Sequence, residues 1–172
     1  AEETSNYLAS IYSSQKNNSN IYELLSSNSY KLINNSINKA KDNLIAKKIN
    51  SDYSGTTINL VYIVKNKLIC ANLGDSRAIA VGSKNKIIQL SIDHKPDVPS
   101  EKDRIELCGG EVGRVNWANF GPYRVWFKGQ NYPGLAMSRS LGDNLAHSIG
   151  VINTPEIKEI DMSNEKIDFL VI

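Results

Sequence analysis

Little in this chain could staple it together or anchor it. Its 172 residues include two cysteines, Cys70 and Cys108. They lie far apart, without the paired spacing of a metal-binding motif, so neither a disulfide framework nor a cysteine–zinc site is expected. Both read as reduced structural thiols of an intracellular protein. No apolar run approaches the roughly 20 residues that span a bilayer, and no secretory signal opens the chain. The formal net charge is only +2, and no basic stripe is interleaved with aromatics, which argues against nucleic acid as a partner. Hydrophobic residues make up 41% and charged residues 22%. That is enough apolar material for a core, and it excludes global disorder. The length fits one domain, or part of a larger one.

The order of elements is legible from the spacing of apolar residues. Leu8, Ile11 and Tyr12 recur at helical spacing over residues 4–12, and a polar loop is expected over residues 13–20. From Ser29 to Ile49, Tyr30, Ile33, Ile37, Ala40 and Leu44 form the core-facing stripe of a long amphipathic helix. Residues 55–64, 67–74, 77–82 and 86–91 are short, β-branched and apolar, with polar turns between them, and predict an antiparallel meander. Several of these runs are apolar on both parities, so both sheet faces should be covered, one by the long helix and the other by a second sheet. A short helix follows Pro99, with Ser100 as its expected cap and Gly109-Gly110 as its end. Glu101, Asp103 and Glu106 read as surface acids of that helix. Residues 111–134 are rich in aromatics and glycine and lack periodicity, which predicts an ordered functional loop. Trp117 and Trp126 are expected to pack on that segment's own small core. Further strands are expected within residues 152–162 and 167–172. The apolar run Phe169–Ile172 would leave a terminal carboxylate in a core strand, at a cost, so the chain reads as a segment of a longer protein.

The chemistry-bearing residues sit in bends. "ANLGDSRAIAVG" (71–82) places Gly74-Asp75-Ser76-Arg77 between two apolar strands. Asp75 can cap a turn, or it can offer carboxylate oxygens to a hard divalent cation. One acid does not decide between the two. Other strings accompany it in order: "SGTT" (54–57), "DHKP" (93–96), "SEKDRIELCGGEV" (100–112), "LAMSRSLGD" (135–143) and "PEI" (155–157).

In that order these strings resemble the metal-dependent protein phosphatases, the type 2C serine/threonine family, from about Ser54 to the end of the chain. The resemblance implies an α+β fold: an α/β/β/α sandwich of two antiparallel sheets flanked by helices, here incomplete. Residues 1–172 would be a partial catalytic domain, with the family's flap at about 111–134. It also implies two manganese or magnesium ions, Mn2+ or Mg2+, held by acids at one end of the sandwich. A water activated by the ions attacks phosphoserine or phosphothreonine, and no covalent phosphoenzyme forms. Carried over by position, Asp75 is the metal ligand of this segment, and Thr57 and Arg139 are the candidate catalytic groups. Gly74, Arg77, Ser138 and Asp143 support the site; for Arg139 and Asp143 bracing of the flap against the core is favoured over direct catalysis. His94 reads as structural, and His147 has no assigned role.

The same resemblance implies partners and limits. Phosphoproteins are the substrates, a regulatory partner at the flap is allowed for, and neither nucleic acid nor membrane is expected. The location is cytoplasmic, with the nucleus as the alternative. The family's principal metal pair depends on an early glutamate–aspartate element, an aspartate–glycine–histidine–glycine element, and a later serine- or cysteine–aspartate–glycine element. None of these occurs in the chain. The 172 residues alone are therefore expected to bind manganese weakly and to hydrolyse nothing. A pseudophosphatase, using the same sandwich as a binding or regulatory module, is the alternative.

Overall fold

In the computed structural model, residues 18–115 and 120–172 are described, with side chains from residue 25 on. The helix expected at residues 4–12, most of the polar loop after it, and Trp117 lie outside these residues. Helix α1 spans Asn18–Ala46, so residues 18–20 of the expected loop are helical. It is kinked at Asn28, whose backbone leaves helical geometry (φ −156°, ψ 62°). The Asn28 side chain accepts the amide of Lys31 at 3.1 Å, capping the second segment of the helix as an N-cap asparagine does. Ile33, Ile37 and Ala40 face the core as their spacing predicts. Tyr30 does not: it is 51% exposed. The kink lies before it, so Tyr30 shares a helical segment with Ile33; the buried face of that segment includes Ser29 and Ser36 and is centred to one side of Tyr30, which stands at its margin.

The strands do not form one meander. They divide between two antiparallel three-stranded sheets. The first sheet orders β10 (Glu156–Asp161), β3 (Lys67–Leu73) and β2 (Ile58–Val64). The second orders β11 (Ile167–Val171), β4 (Ile79–Gly82) and β5 (Lys86–Gln89). Strand β3 is buried along nearly its whole length, and the two parities explain why. Ile69, Ala71 and Leu73 pack with Leu25, Ile33, Ile37 and Ala40 of α1. Leu68 and Cys70 point the other way and pack with Ala80 of the second sheet and with Ala78 and Leu90, which flank its strands. Burial pushes the Cys70 thiol up to about 11, with Lys158 acting weakly in the opposite sense. Such a thiol stays protonated and unreactive. On the outer face of the second sheet, Ile87, Phe169 and Val171 are exposed.

The segment expected to be irregular contributes the strands of a third antiparallel sheet. It comprises β6 (Gly110–Gly113), β7 (Arg124–Phe127) and β8 (Pro133–Leu135). Helix α2 (Pro99–Leu107) covers it, with Ile105 packed among Val112, Val125, Ala146, Ile149 and Val151. Trp126 is buried within this sheet, and its indole N–H donates to the Gly113 carbonyl at 3.0 Å. Ser100 does not cap α2. The cap position is Val98, with no side-chain hydrogen bond, and Pro99 occupies the first turn, where its missing N–H costs nothing. A two-stranded pair, β1 (Gly55–Thr56) with β9 (Leu141–Gly142), and the short helix α3 (Asn144–His147) join this unit to the sandwich.

Candidate functional site

The bend that carries Asp75 is the crossover between the two sheets. Strand β3 ends at Leu73 in the first sheet, and β4 begins at Ile79 in the second. A crossover between packed sheets frees backbone groups from both ladders, and these must find partners. Neighbouring polar side chains supply them. Asn72, itself buried, donates from Nδ2 to the carbonyls of Gly74 at 3.0 Å and Ile92 at 2.9 Å. Asn59 Nδ2 reaches Asn72 Oδ1 at 2.9 Å and the Ser76 carbonyl at 3.3 Å. The Ala78 amide donates to the Ser91 hydroxyl at 2.8 Å. Gly74 turns with φ +101°, where a Cβ would stand 2.5 Å from Thr57 Cγ2 and 3.2 Å from the Arg139 carbonyl. Only glycine fits this combination.

The "DHKP" turn closes on this crossover residue by residue. Asp93 accepts two hydrogen bonds from Arg77, at 3.0 Å from Nε and 2.8 Å from Nη2. That guanidinium holds the Asp93 carboxyl below the usual range, although partial burial opposes it. His94 accepts the Gly74 amide on Nδ1 at 3.0 Å and donates its own amide to the Gly74 carbonyl at 3.0 Å. Lys95 pairs with Asp75, whose side chain is 25% exposed. Thr57 and Ser76 share a hydroxyl–hydroxyl hydrogen bond at 2.8 Å. Gly74, Asp75, Arg77 and Thr57 are thus brought together, along with the Arg139 backbone.

The Arg139 side chain is engaged elsewhere. Its guanidinium donates to Glu101 at 2.7 Å from Nη2 and to the Thr154 carbonyl at 3.0 Å. Glu101 is not a surface acid: it is 3% exposed. It also accepts both Nη groups of Arg104, at 2.9 and 2.8 Å, and the Ser138 hydroxyl at 2.5 Å. Burial alone would raise its pKa. The hydrogen bonds from Arg104, Arg139 and Ser138 overturn that and bring it to about 2. Asp103 and Glu106 stay exposed as expected. The one sequence signal for the Glu101 hub was Arg104 three residues on, at helical ion-pair spacing.

Asp143 lies at the other edge of this region. It is buried, in the left-handed conformation at φ 49°, and its amide donates to the Ser54 carbonyl at 2.8 Å. A Cβ on Gly55 would fall 2.0 Å from Asp143 Oδ2, so β1 approaches this acid as only glycine permits. Burial raises the Asp143 carboxyl, with the Ser140 hydroxyl and His147 pulling it partly back. His147 stands 3.1 Å from the Ser140 carbonyl through Nε2. A cleft of about 250 Å³ is lined by residues that include Arg124, Leu135, Met137, Asp143 and Ala146.

The family model described as Protein phosphatase 2C matches residues 2–172. Among curated relatives, probable protein phosphatase 2C 35 of Arabidopsis thaliana is 36% identical over 153 residues, covering 77% of this chain and 44% of the relative. Probable protein phosphatase 2C 72 of the same plant is 41% identical over 127 residues, covering 72% of this chain and 38% of the relative. The chain therefore spans less than half the length of these two relatives. Among solved structures, serine-threonine phosphatase 2C from Toxoplasma gondii superposes with a TM-score of 0.67 at 24% identity, over 92% of this chain and 54% of that one. A bacterial serine phosphatase gives a TM-score of 0.54 at 17% identity, over 98% and 57%. At these identities the two structures speak for the fold.

Proposed function

The chain belongs to the protein phosphatase 2C family, and from that premise we propose that a protein carrying it is a metal-dependent phosphatase of phosphoserine and phosphothreonine residues. The observation that carries the reading is the crossover turn. Asp75 is held there half-sheltered against a single lysine, while every neighbouring turn residue is fixed by hydrogen bonds.

The donor chemistry suits manganese or magnesium, which take carboxylate and other oxygen ligands. Among the described residues no group of three or more His, Cys, Asp or Glu stands together to hold an ion. Asp75 is therefore one contributor, and the remaining acids come from the rest of the protein. Bound ions of this kind lower the pKa of water and neutralise charge on the phosphoryl group. For their part, Thr57 and Ser76 steady the turn through their shared hydrogen bond. Arg77 ties it to Asp93. Ser138 and Arg139, through Glu101, hold the neighbouring loop in register. Asp143 braces β1 against β9, and the segment 111–134 acts as the flap that shapes substrate access and offers a surface to a regulator. Phosphoproteins of the cytoplasm or nucleus are the substrates in this reading.

The test is manganese-dependent phosphate release from a phosphothreonine peptide by the full-length protein. Release is expected to need manganese or magnesium and to fall at least about tenfold in Asp75→Asn, the scale on which metal-site perturbations act. The 172-residue chain alone is expected to release none. Absence of release by the full-length protein at any metal concentration, with phosphopeptide binding retained, would instead make it a pseudophosphatase.

A further inference from the structure

His94, in the turn that closes on the crossover, is bonded through both its ring and its backbone, and none of the roles given above depends on its side chain. It is 3% exposed. Its Nδ1 accepts the Gly74 amide, and its backbone amide returns a bond to the Gly74 carbonyl, both at 3.0 Å. Its own carbonyl accepts the Ser138 amide at 2.9 Å. Its Nε2 lies 3.4 Å from the Glu156 carboxylate at the start of β10. An amide N–H only donates, so Nδ1 must be the unprotonated nitrogen, and the ring proton sits on Nε2 facing Glu156. Burial and Arg139 hold the ring neutral, against the pull of Glu101 and Glu156.

The Gly74 amide has no ladder partner, because β3 ends one residue earlier. The peptide group preceding Asp75 has its carbonyl fixed by Asn72 and by the His94 amide. The peptide group before that has its N–H fixed by the imidazole. Lys95 neutralises the Asp75 carboxylate, but a long flexible ammonium stem does not direct it. We propose that His94 is a positioning residue: by holding the Gly74 amide on Nδ1, it sets the direction in which the Asp75 carboxylate leaves the turn. The proposal rests on the reading of Asp75 as a functional acid.

Asparagine places an acceptor oxygen on Cγ, where histidine carries Nδ1; glutamine places it one atom further out, at the level of Nε2. In the full-length protein, His94→Asn should therefore keep Gly74 amide protection from hydrogen exchange, and manganese affinity, within about twofold of the parent. His94→Gln should speed Gly74 exchange and weaken manganese binding, each by about tenfold, the low end of the cost of an orphaned buried donor. Affinity is read from the paramagnetic resonance signal of free Mn2+, with Asp75→Asn as reference. Gly74 protection unchanged in His94→Gln overturns the proposal. So does lost protection with unchanged manganese affinity, when Asp75→Asn weakens binding. If Asp75→Asn leaves binding unchanged, it is the reading of Asp75 that fails, and Gly74 exchange alone decides whether His94 holds the turn. Nitrogen resonances of the parent decide independently of any variant's folding: an Nε2–H tautomer supports the proposal and an Nδ1–H tautomer overturns it.

Discussion

Replacing Glu101 by glutamine tests the buried hub most directly. Glutamine keeps the size of the side chain and removes its charge, leaving Arg104 and Arg139 facing a neutral amide. The size of the effect follows from the structure in two ways. Lowering the carboxyl from 4.5 to about 2 corresponds to about 3 kcal/mol of preference for the charged form. Breaking a buried ion pair by removing one partner costs about 3 to 5 kcal/mol. We therefore expect Glu101→Gln to lose about 3 kcal/mol at pH 7, read from urea unfolding. The pH dependence carries a sign. The folded pKa lies below the unfolded one, so the charged hub stabilises fully above pH 4.5 and the stabilisation is lost as pH falls toward 2. By pH 3 about 2 of the 3 kcal/mol should be gone. The gap between parent and variant should narrow by that amount, since glutamine does not titrate. A variant within about 0.5 kcal/mol of the parent at pH 7, the range of ordinary surface changes, would refute the reasoning. A gap that stays constant down to pH 3 would do the same.

Two further substitutions probe the crossover and the third sheet. Gly74→Ala forces a Cβ into 2.5 Å of Thr57 Cγ2 at φ +101°; about 1 to 3 kcal/mol should be lost, read as a fall in the thermal midpoint, and an unchanged midpoint would show that the turn yields. Trp126→Phe removes the donor to the Gly113 carbonyl at 3.0 Å; a loss of about 1 kcal/mol is expected, with a larger loss of protection in β6 and β7 amides than in β2 and β3, and uniform exchange across all sheets would contradict a separate local core.

How much of this was readable in the chain depends on how far apart the partners are. Strand β3 was legible because both parities of Leu68–Leu73 are apolar, and a strand needs only its own residues to announce two covered faces. The division of the strands between two sheets was less so, since β2–β3 and β4–β5 are each hairpins and look alike in sequence. Residues 111–134 hid three paired strands because each has only three or four residues, interrupted by glycine and Pro133, too short for an alternation to register. Glu101 was misread for a different reason. On a nine-residue helix an acid at the first turn looks solvated; its burial is decided by Arg139, 38 residues away. Asp75, Arg77 and Gly74 stand out by their type and place in a bend, and Lys95 by its place in "DHKP", whereas Asn72, which holds the same bend, carries no mark that distinguishes it from an ordinary strand residue.

The placing of an acid and a base between two buried strands follows from the crossover itself. A chain that leaves one sheet for a second packed against it must pass through a region where ladder bonds stop and water has limited access. Apolar residues there would leave the amides and carbonyls of residues 74 to 78 unpaired, at about 1 to 3 kcal/mol for each buried orphan. The sequence supplies polar partners instead: Asn72 and Asn59 from the strands, Ser91 after β5, and His94 from the adjoining turn. Once these bonds are made the bend has little freedom left, and Asp75 is carried on it at the end of the sandwich with its carboxylate only partly sheltered. The same network that satisfies the crossover thus fixes the backbone around Asp75 without asking that acid to hold the fold together, and this is the arrangement that the proposed role of Asp75 requires.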